Sequence, residues 1–147
     1  MDDRAMNGAK DSLLSAVRTY SGGQLRDLWL FDERHHEALY LREDVREKVA
    51  DVAVEKHIDN ERYGYITRET YNQLNYAEYR YTIRGFDQYE QFRTFVADNG
   101  LRVGVFASFD RQPEGYNFAR LQERLDDVVA RYSPEEFVPE SDGSEQY

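Results

Sequence analysis

The sequence predicts an α+β fold: a single domain with helices packed on a five-stranded antiparallel sheet, in the order α-β-β-α-β-β-β-α. Three observations carry this. Residues Tyr76 to Arg84 alternate strictly, with Ala77, Tyr79, Tyr81 and Ile83 against Glu78, Arg80, Thr82 and Arg84. Asn99-Gly100, a strong hairpin-turn signal, stands between two apolar stretches. Near the end, Phe118, Leu121, Leu125, Val128 and Val129 recur at helical spacing behind Asn117, a good N-cap.

The elements follow in chain order. Leu13, Leu14, Val17 and Tyr20 make one stripe of a helix from Asp11 to Tyr20, and Gly22-Gly23 stops it. Leu25 to Phe31 reads as a strand, with Leu25, Trp29 and Phe31 on one side and Leu28 and Leu30 on the other. Apolar residues on both sides place it centrally, under cover on two faces. A polar turn, 32–36, returns the chain into a second strand, Glu37 to Arg42, with Leu39 and Leu41 opposite Ala38 and Tyr40. Asp44 and Glu47 form a capping box for a helix running to about Lys56, with Val45, Val49 and Val52 inward. Residues 57–66 carry the loop signals Asp59-Asn60 and Gly64, and Thr67 caps a short helix to about Leu74.

After the alternating strand, residues 87–97 support two readings. Phe86, Tyr89, Phe92, Phe95 and Val96 fit a helix with Asp87 and Glu90 as a capping box. Phe92, Thr94 and Val96 also alternate with Arg93 and Phe95, and the Asn-Gly that follows favours strand, turn and strand, with Leu101 to Phe109 as the last strand. The boundaries are therefore a flexible N-terminus at 1–9, the domain at 10–132, and a disordered acidic tail at 133–147. That tail has five acids and no base, and is expected to be dispensable for folding.

Charge bounds the setting. Of 147 residues, 29 are Asp or Glu and 19 are Lys or Arg, giving a net charge of -10. Only Lys10, Lys48 and Lys56 are lysines. Guanidinium is more weakly hydrated than ammonium and pairs with carboxylates in a planar fork. Acidic, lysine-poor surfaces suit concentrated salt, where the Debye length falls to about 3 Å at 1 M. The reading is a halophilic, acidic protein. No apolar run approaches the roughly 20 residues of a membrane span, and Met1-Asp2-Asp3-Arg4 does not open a signal peptide, so the expected location is cytoplasmic. Without a local Lys/Arg cluster, nucleic acid is not an expected partner.

Catalytic constellations are absent from the pattern. There is no cysteine, no phosphate loop with its glycine-lysine signature, and no nucleophile elbow. His35-His36 with Asp32, Glu33 and Glu37 is the most metal-like cluster, but adjacent side chains in extended chain point apart, so it reads as a solvated turn. No catalytic residue, metal or cofactor is assigned. Two features point to binding. Tyr63, Tyr65, Tyr71, Tyr76, Tyr79, Tyr81 and Tyr89 crowd one stretch, as at interfaces, pockets or a sheet's core edge. Arg80, Arg84, Arg93 and Arg102 fall on one sheet face if the last three strands form a meander, and so suit an acidic partner or an anionic ligand unless Glu78 and Glu90 neutralise them. The candidate binding residues are Arg80, Arg84, Arg93, Arg102, Tyr79 and Tyr81.

The element order resembles that of roadblock and related profilin-like domains. The segments Leu25-Arg26-Asp27-Leu28-Trp29-Leu30-Phe31-Asp32, Glu37-Ala38-Leu39-Tyr40-Leu41-Arg42-Glu43-Asp44-Val45 and Glu78-Tyr79-Arg80-Tyr81-Thr82-Ile83-Arg84 resemble a family of small uncharacterised proteins of halophilic archaea. The resemblance implies such a source and carries over no activity or site residue. The function expected is a non-enzymatic interaction or regulatory module, partnering another protein or itself. The alternative is a small-molecule or anion sensor with a tyrosine-rich pocket.

Overall fold

A computed structural model describes residues 8–49, 54–98 and 101–140. It contains α1 (Gly8–Ser21), β1 (Leu25–Phe31), β2 (His36–Leu41), α2 (Glu43–Val49), α3 (Val54–Asn75), β3 (Tyr81–Gly85), β4 (Tyr89–Asp98), β5 (Leu101–Asp110) and α4 (Phe118–Ala130). Short 3-10 turns stand at Gly22–Gln24 and Pro134–Phe137. The five strands form one antiparallel sheet in the order β2-β1-β5-β4-β3. The expected α+β architecture is the one found.

Helices cover both sheet faces. On one, α1 and α4 lay Leu13, Val17, Leu121, Leu125 and Val128 over Leu28, Leu30, Phe92, Val105 and Phe109. On the other, α2 and α3 cover a smaller cluster of Trp29, Phe31, Ile58 and Phe106. β1 and β5 are central and buried on both faces, which is why their sequences read as nearly continuous apolar runs. Asn117 caps α4 as expected: its side chain accepts from the Arg120 N–H at 3.1 Å.

Several expectations need correction. The register of β1 against β5 shifts between Leu25 and Asp27, so Leu25 joins Leu28 and Leu30 rather than Trp29 and Phe31. A second shift, between Leu28 and Trp29 against β2, puts Leu39 and Leu41 on different faces. Asp44 lies inside the first turn of α2, with Arg42 holding its carboxylate through two hydrogen bonds of 2.7 and 3.0 Å. Residues 54–75, read as helix end, loop and short helix, form the single helix α3. Residues 76–80 precede the strand; Tyr76 takes φ 53° there, and β3 begins at Tyr81. Of the two readings of 87–97, the strand holds. Asn99 and Gly100 lie outside the described residues, but Asp98 pairs with Leu101 across them.

Both expected ends are also revised. Ala9 and Lys10 are fully buried in α1, where the Lys10 ammonium meets Glu37 at 2.9 Å and Glu140 at 3.8 Å. Ser133 and Glu136 form a capping box on the turn that follows α4. That turn places Phe137 at 0 % exposure, with Val138 packed beside it in the α1/α4 layer. One aromatic side chain thus anchors the beginning of the expected tail; 141–147 lie outside the described residues.

Candidate functional site

Five of the six candidate residues lie in, just before or opposite β3, with Arg102 apart on β5, and the local register decides where each goes. Thr82 pairs with Arg93 and Arg84 with Gln91, so these four side chains share the face toward α3. Helix α3 brings Glu61 onto that face at 1 % exposure. Arg84 grips Glu61 with two hydrogen bonds of 2.9 Å, and Arg93 adds a third of 3.2 Å. Arg93 also donates to Thr82 Oγ1 at 2.7 Å, and Arg84 to Gln91 Oε1 at 2.8 Å. Gly64, one turn beyond Glu61, makes room for the Arg93 guanidinium: a Cβ there would overlap it. A buried carboxylate held by two guanidiniums is thus the joint between α3 and the sheet.

The four arginines do not form one open face. Arg80 turns to Asp126 of α4, 2.8 Å away and exposed. Arg102 reaches Glu33 at 3.1 Å and lies 4.7 Å from the Tyr65 ring centre. It lines a cavity of about 300 Å³ with Tyr65, Phe31 and Phe95. The neutralising acid for Arg84 and Arg93 is Glu61 rather than Glu78 or Glu90. The tyrosines divide as well. Tyr81 packs on Phe92 at 5.6 Å, inside the α1/α4 layer. Tyr79 stacks on Tyr71 at 5.5 Å and shares a hydrogen bond with Thr82, while its N–H donates to Asn72. Tyr79 therefore ties the run into β3 to the end of α3.

The two histidines of the turn separate. His36 is buried beside Trp29, with Glu55 3.3 Å away, whereas His35 is half exposed near Asp32. Among the described residues, no group of three or more His, Asp or Glu is placed to hold a metal ion.

Sequence reading singled out Tyr63, Tyr71 and Tyr76 but missed the exposed Ile66 and Leu74 among them. Tyr63, Ile66 and Leu74 are 67, 61 and 69 % exposed, with Tyr71 and Tyr76 beside them. Five of the six large apolar side chains exposed among the described residues lie between 63 and 76. The signal available was Ile66 and Leu74 at an eight-residue spacing, close to two turns, in an otherwise polar segment. Tyr63 and Ile66 line the cavity shared with Phe31 and Arg102, whereas Tyr71, stacked on Tyr79, brings the end of α3 to the approach to β3, whose outer edge meets no described strand.

A family model described as a domain of unknown function (DUF7522) matches residues 11–137. No curated protein matches the chain. Among solved structures, the gliding protein MglB from Thermus thermophilus superposes with a TM-score of 0.54 at 9 % identity, over 86 % of this chain and 94 % of that one. A second structure, described as MglB with a tetrameric arrangement, gives 0.47 at 12 % identity over 89 and 94 %. At such identities the likeness to the first shows the fold, a roadblock-like one, and nothing more.

Proposed function

We propose that this chain, which belongs to the DUF7522 family of domains of unknown function, is a non-enzymatic interaction module that pairs with a second copy of itself through the outer face of α3 and the open edge of β3. The observation that carries this is the concentration of exposed apolar side chains in residues 63–76, whose later part reaches the approach to an unpaired strand edge through the Tyr71–Tyr79 stack. An antiparallel edge is self-complementary about a two-fold axis, so one copy is a natural occupant for another. Glu78 and Arg80, both exposed at the entrance to β3, give the surface charges of both signs. Of the six candidate residues, Tyr79 stands against α3 through its stack on Tyr71, and Arg80 is exposed at the approach to β3 but paired with Asp126 of α4. Arg84 and Arg93 act behind this surface, holding α3 in place through Glu61. That engagement favours a protein partner over a free anion at the arginines.

We place the protein in a salt-rich cytoplasm, on the support of its net charge of -10 and its three lysines among 19 basic residues. No described helix is long and apolar enough to cross a membrane.

Light scattering after size exclusion in molar potassium chloride tests the reading. The wild type is expected at a multiple of 17.4 kDa. The double change Ile66→Asp and Leu74→Asp is expected to run as a monomer with an unchanged circular dichroism spectrum. A wild type that is monomeric at tens of micromolar sinks the proposal.

A further inference from the structure

The sheet face under α2 and α3 carries a polar row where an apolar one is expected. The register aligns Asp27 of β1, Ser108 of β5 and Gln91 of β4 across three adjacent strands. The next row is Trp29, Phe106 and Arg93, and none of the six is more than 8 % exposed. Polar side chains in the middle of a covered sheet are costly unless bonded. Most of this row is bonded. Ser108 donates to Asp27 at 2.6 Å and receives from Arg26 at 3.2 Å, and Trp29 donates to Asp27 as well. The Gln91 carbonyl accepts from Arg84, and Gln91 lines the cavity above the row.

Above the row, the described residues of α2 and α3 do not close. A cavity of about 400 Å³ remains between the sheet and Val45, Val49, Val54, His57 and Ile58. Trp29 and Phe106 offer it flat rings, and Tyr89, with Arg26 stacked 4.2 Å from its ring centre, closes one side. Exposed Lys48 stands at the rim. The size is ordinary for a small-molecule site, and so is the composition: apolar walls with a few convergent polar groups.

We propose that this cavity binds a planar heteroaromatic ring of purine size, read at one end by the Asp27 carboxyl and at the other by the Gln91 amide, with Lys48 available to an anionic substituent. Asp27 and Gln91 are two strand spacings apart, roughly 10 Å between backbones, which leaves room for a bicyclic ring between the side-chain tips. Burial holds Asp27 above the usual carboxylate range, and its oxygens can accept from a ring N–H or amino group. A single carboxylate does not make a divalent-cation site, and a purely apolar ligand has no use for the row. The site lies under α2 and α3, apart from the surface proposed for pairing.

Trp29 is the only tryptophan of the chain, so its fluorescence reports on the cavity directly. Titration with adenosine, guanosine and their 5′-monophosphates, followed in parallel by calorimetry, is expected to give saturable binding of at least one. Asp27→Asn is expected to weaken it about tenfold or more, the usual penalty for an unpaired ligand group. Val49→Phe, which fills the cavity, is expected to abolish it, with thermal melts as the folding control for both. The Ile66→Asp/Leu74→Asp variant is expected to bind as the wild type does, separating this site from self-association. Three results each overturn the proposal: no heat and no quench with all four compounds, undiminished binding by Asp27→Asn, or equal binding of indole.

Discussion

The guanidinium of Arg93 occupies the space beside Gly64 where any other residue would put its Cβ. Alanine is favoured over glycine in a helix by about 1 kcal/mol, so Gly64→Ala looks stabilising by propensity alone. Here the methyl group displaces a guanidinium that is 6 % exposed and bonded to Glu61 and Thr82. Gly64→Ala is expected to lower the melting temperature, with a net loss of about 1–2 kcal/mol, or about 2–8 °C for a chain of this size. An unchanged or higher midpoint means that Arg93 has another place to go.

Glu61→Gln leaves Arg84 and Arg93 without their shared charge. Removing one partner of a buried ion pair costs about 3–5 kcal/mol; with Arg84 one-third exposed, the lower end is expected. Denaturant melts measure the loss. A change below about 1 kcal/mol shows that the network adds little to stability.

Phe137→Ala is expected to cost about 3–5 kcal/mol, the usual range for emptying a fully buried aromatic site. Truncation before Ser133 is expected to cost at least as much. If both proteins melt with the wild type, the segment that follows α4 contributes nothing to the domain.

The pH dependence has a definite sign at Asp27. Its folded-state pKa is raised, chiefly by burial, above the ordinary 3.8. The unfolded chain therefore gives up this proton first, and stability falls as pH rises from 3.8 toward the folded value. Asp27→Asn removes the ionisation, so its melting temperature relative to wild type is expected to climb over that interval and level off above it. Asp44 acts in the opposite direction: Arg42 lowers its pKa to about 2, and the associated stability is lost as pH falls from 3.8 through that value. A flat difference between the Asp27→Asn variant and the wild type, from about pH 3 to about pH 8, contradicts the assignment of Asp27.

A melting temperature that climbs with potassium chloride up to molar concentrations is expected from the excess of carboxylates, since screening relieves their repulsion. A midpoint that is flat or falls with salt removes the salt-adapted reading.

Much of the fold is legible in the sequence because burial writes a period into it. β5 reads as a run because both its faces are covered, and α4 as a stripe because one of its faces is. Helix α3 is not legible for the same physical reason in reverse. Its inward positions include Ile58, Glu61 and Gly64, a single aliphatic followed by an ion-pair partner and a gap for a guanidinium. No apolar stripe marks such a face, and Gly64 and Asn60 imitate a loop. The arginines are visible as an alternating pattern, but the acid that receives two of them comes from a segment 23 to 32 residues away, which local reading does not connect. The tail is misread because charge dominates its composition while one phenylalanine dominates its packing.

The burial of Lys10 gives the molecule a built-in clock. Of the three side-chain amines, Lys48 and Lys56 stand in solvent, while Lys10 is sealed between α1, β2 and Glu140. An amine-reactive reagent therefore modifies the first two at once and must wait for the packing of α1, β2 and the segment at Glu140 to open before it can reach the third. The ratio of slow to fast labelling, read by mass spectrometry on the intact chain, counts how often the layer around Lys10 opens.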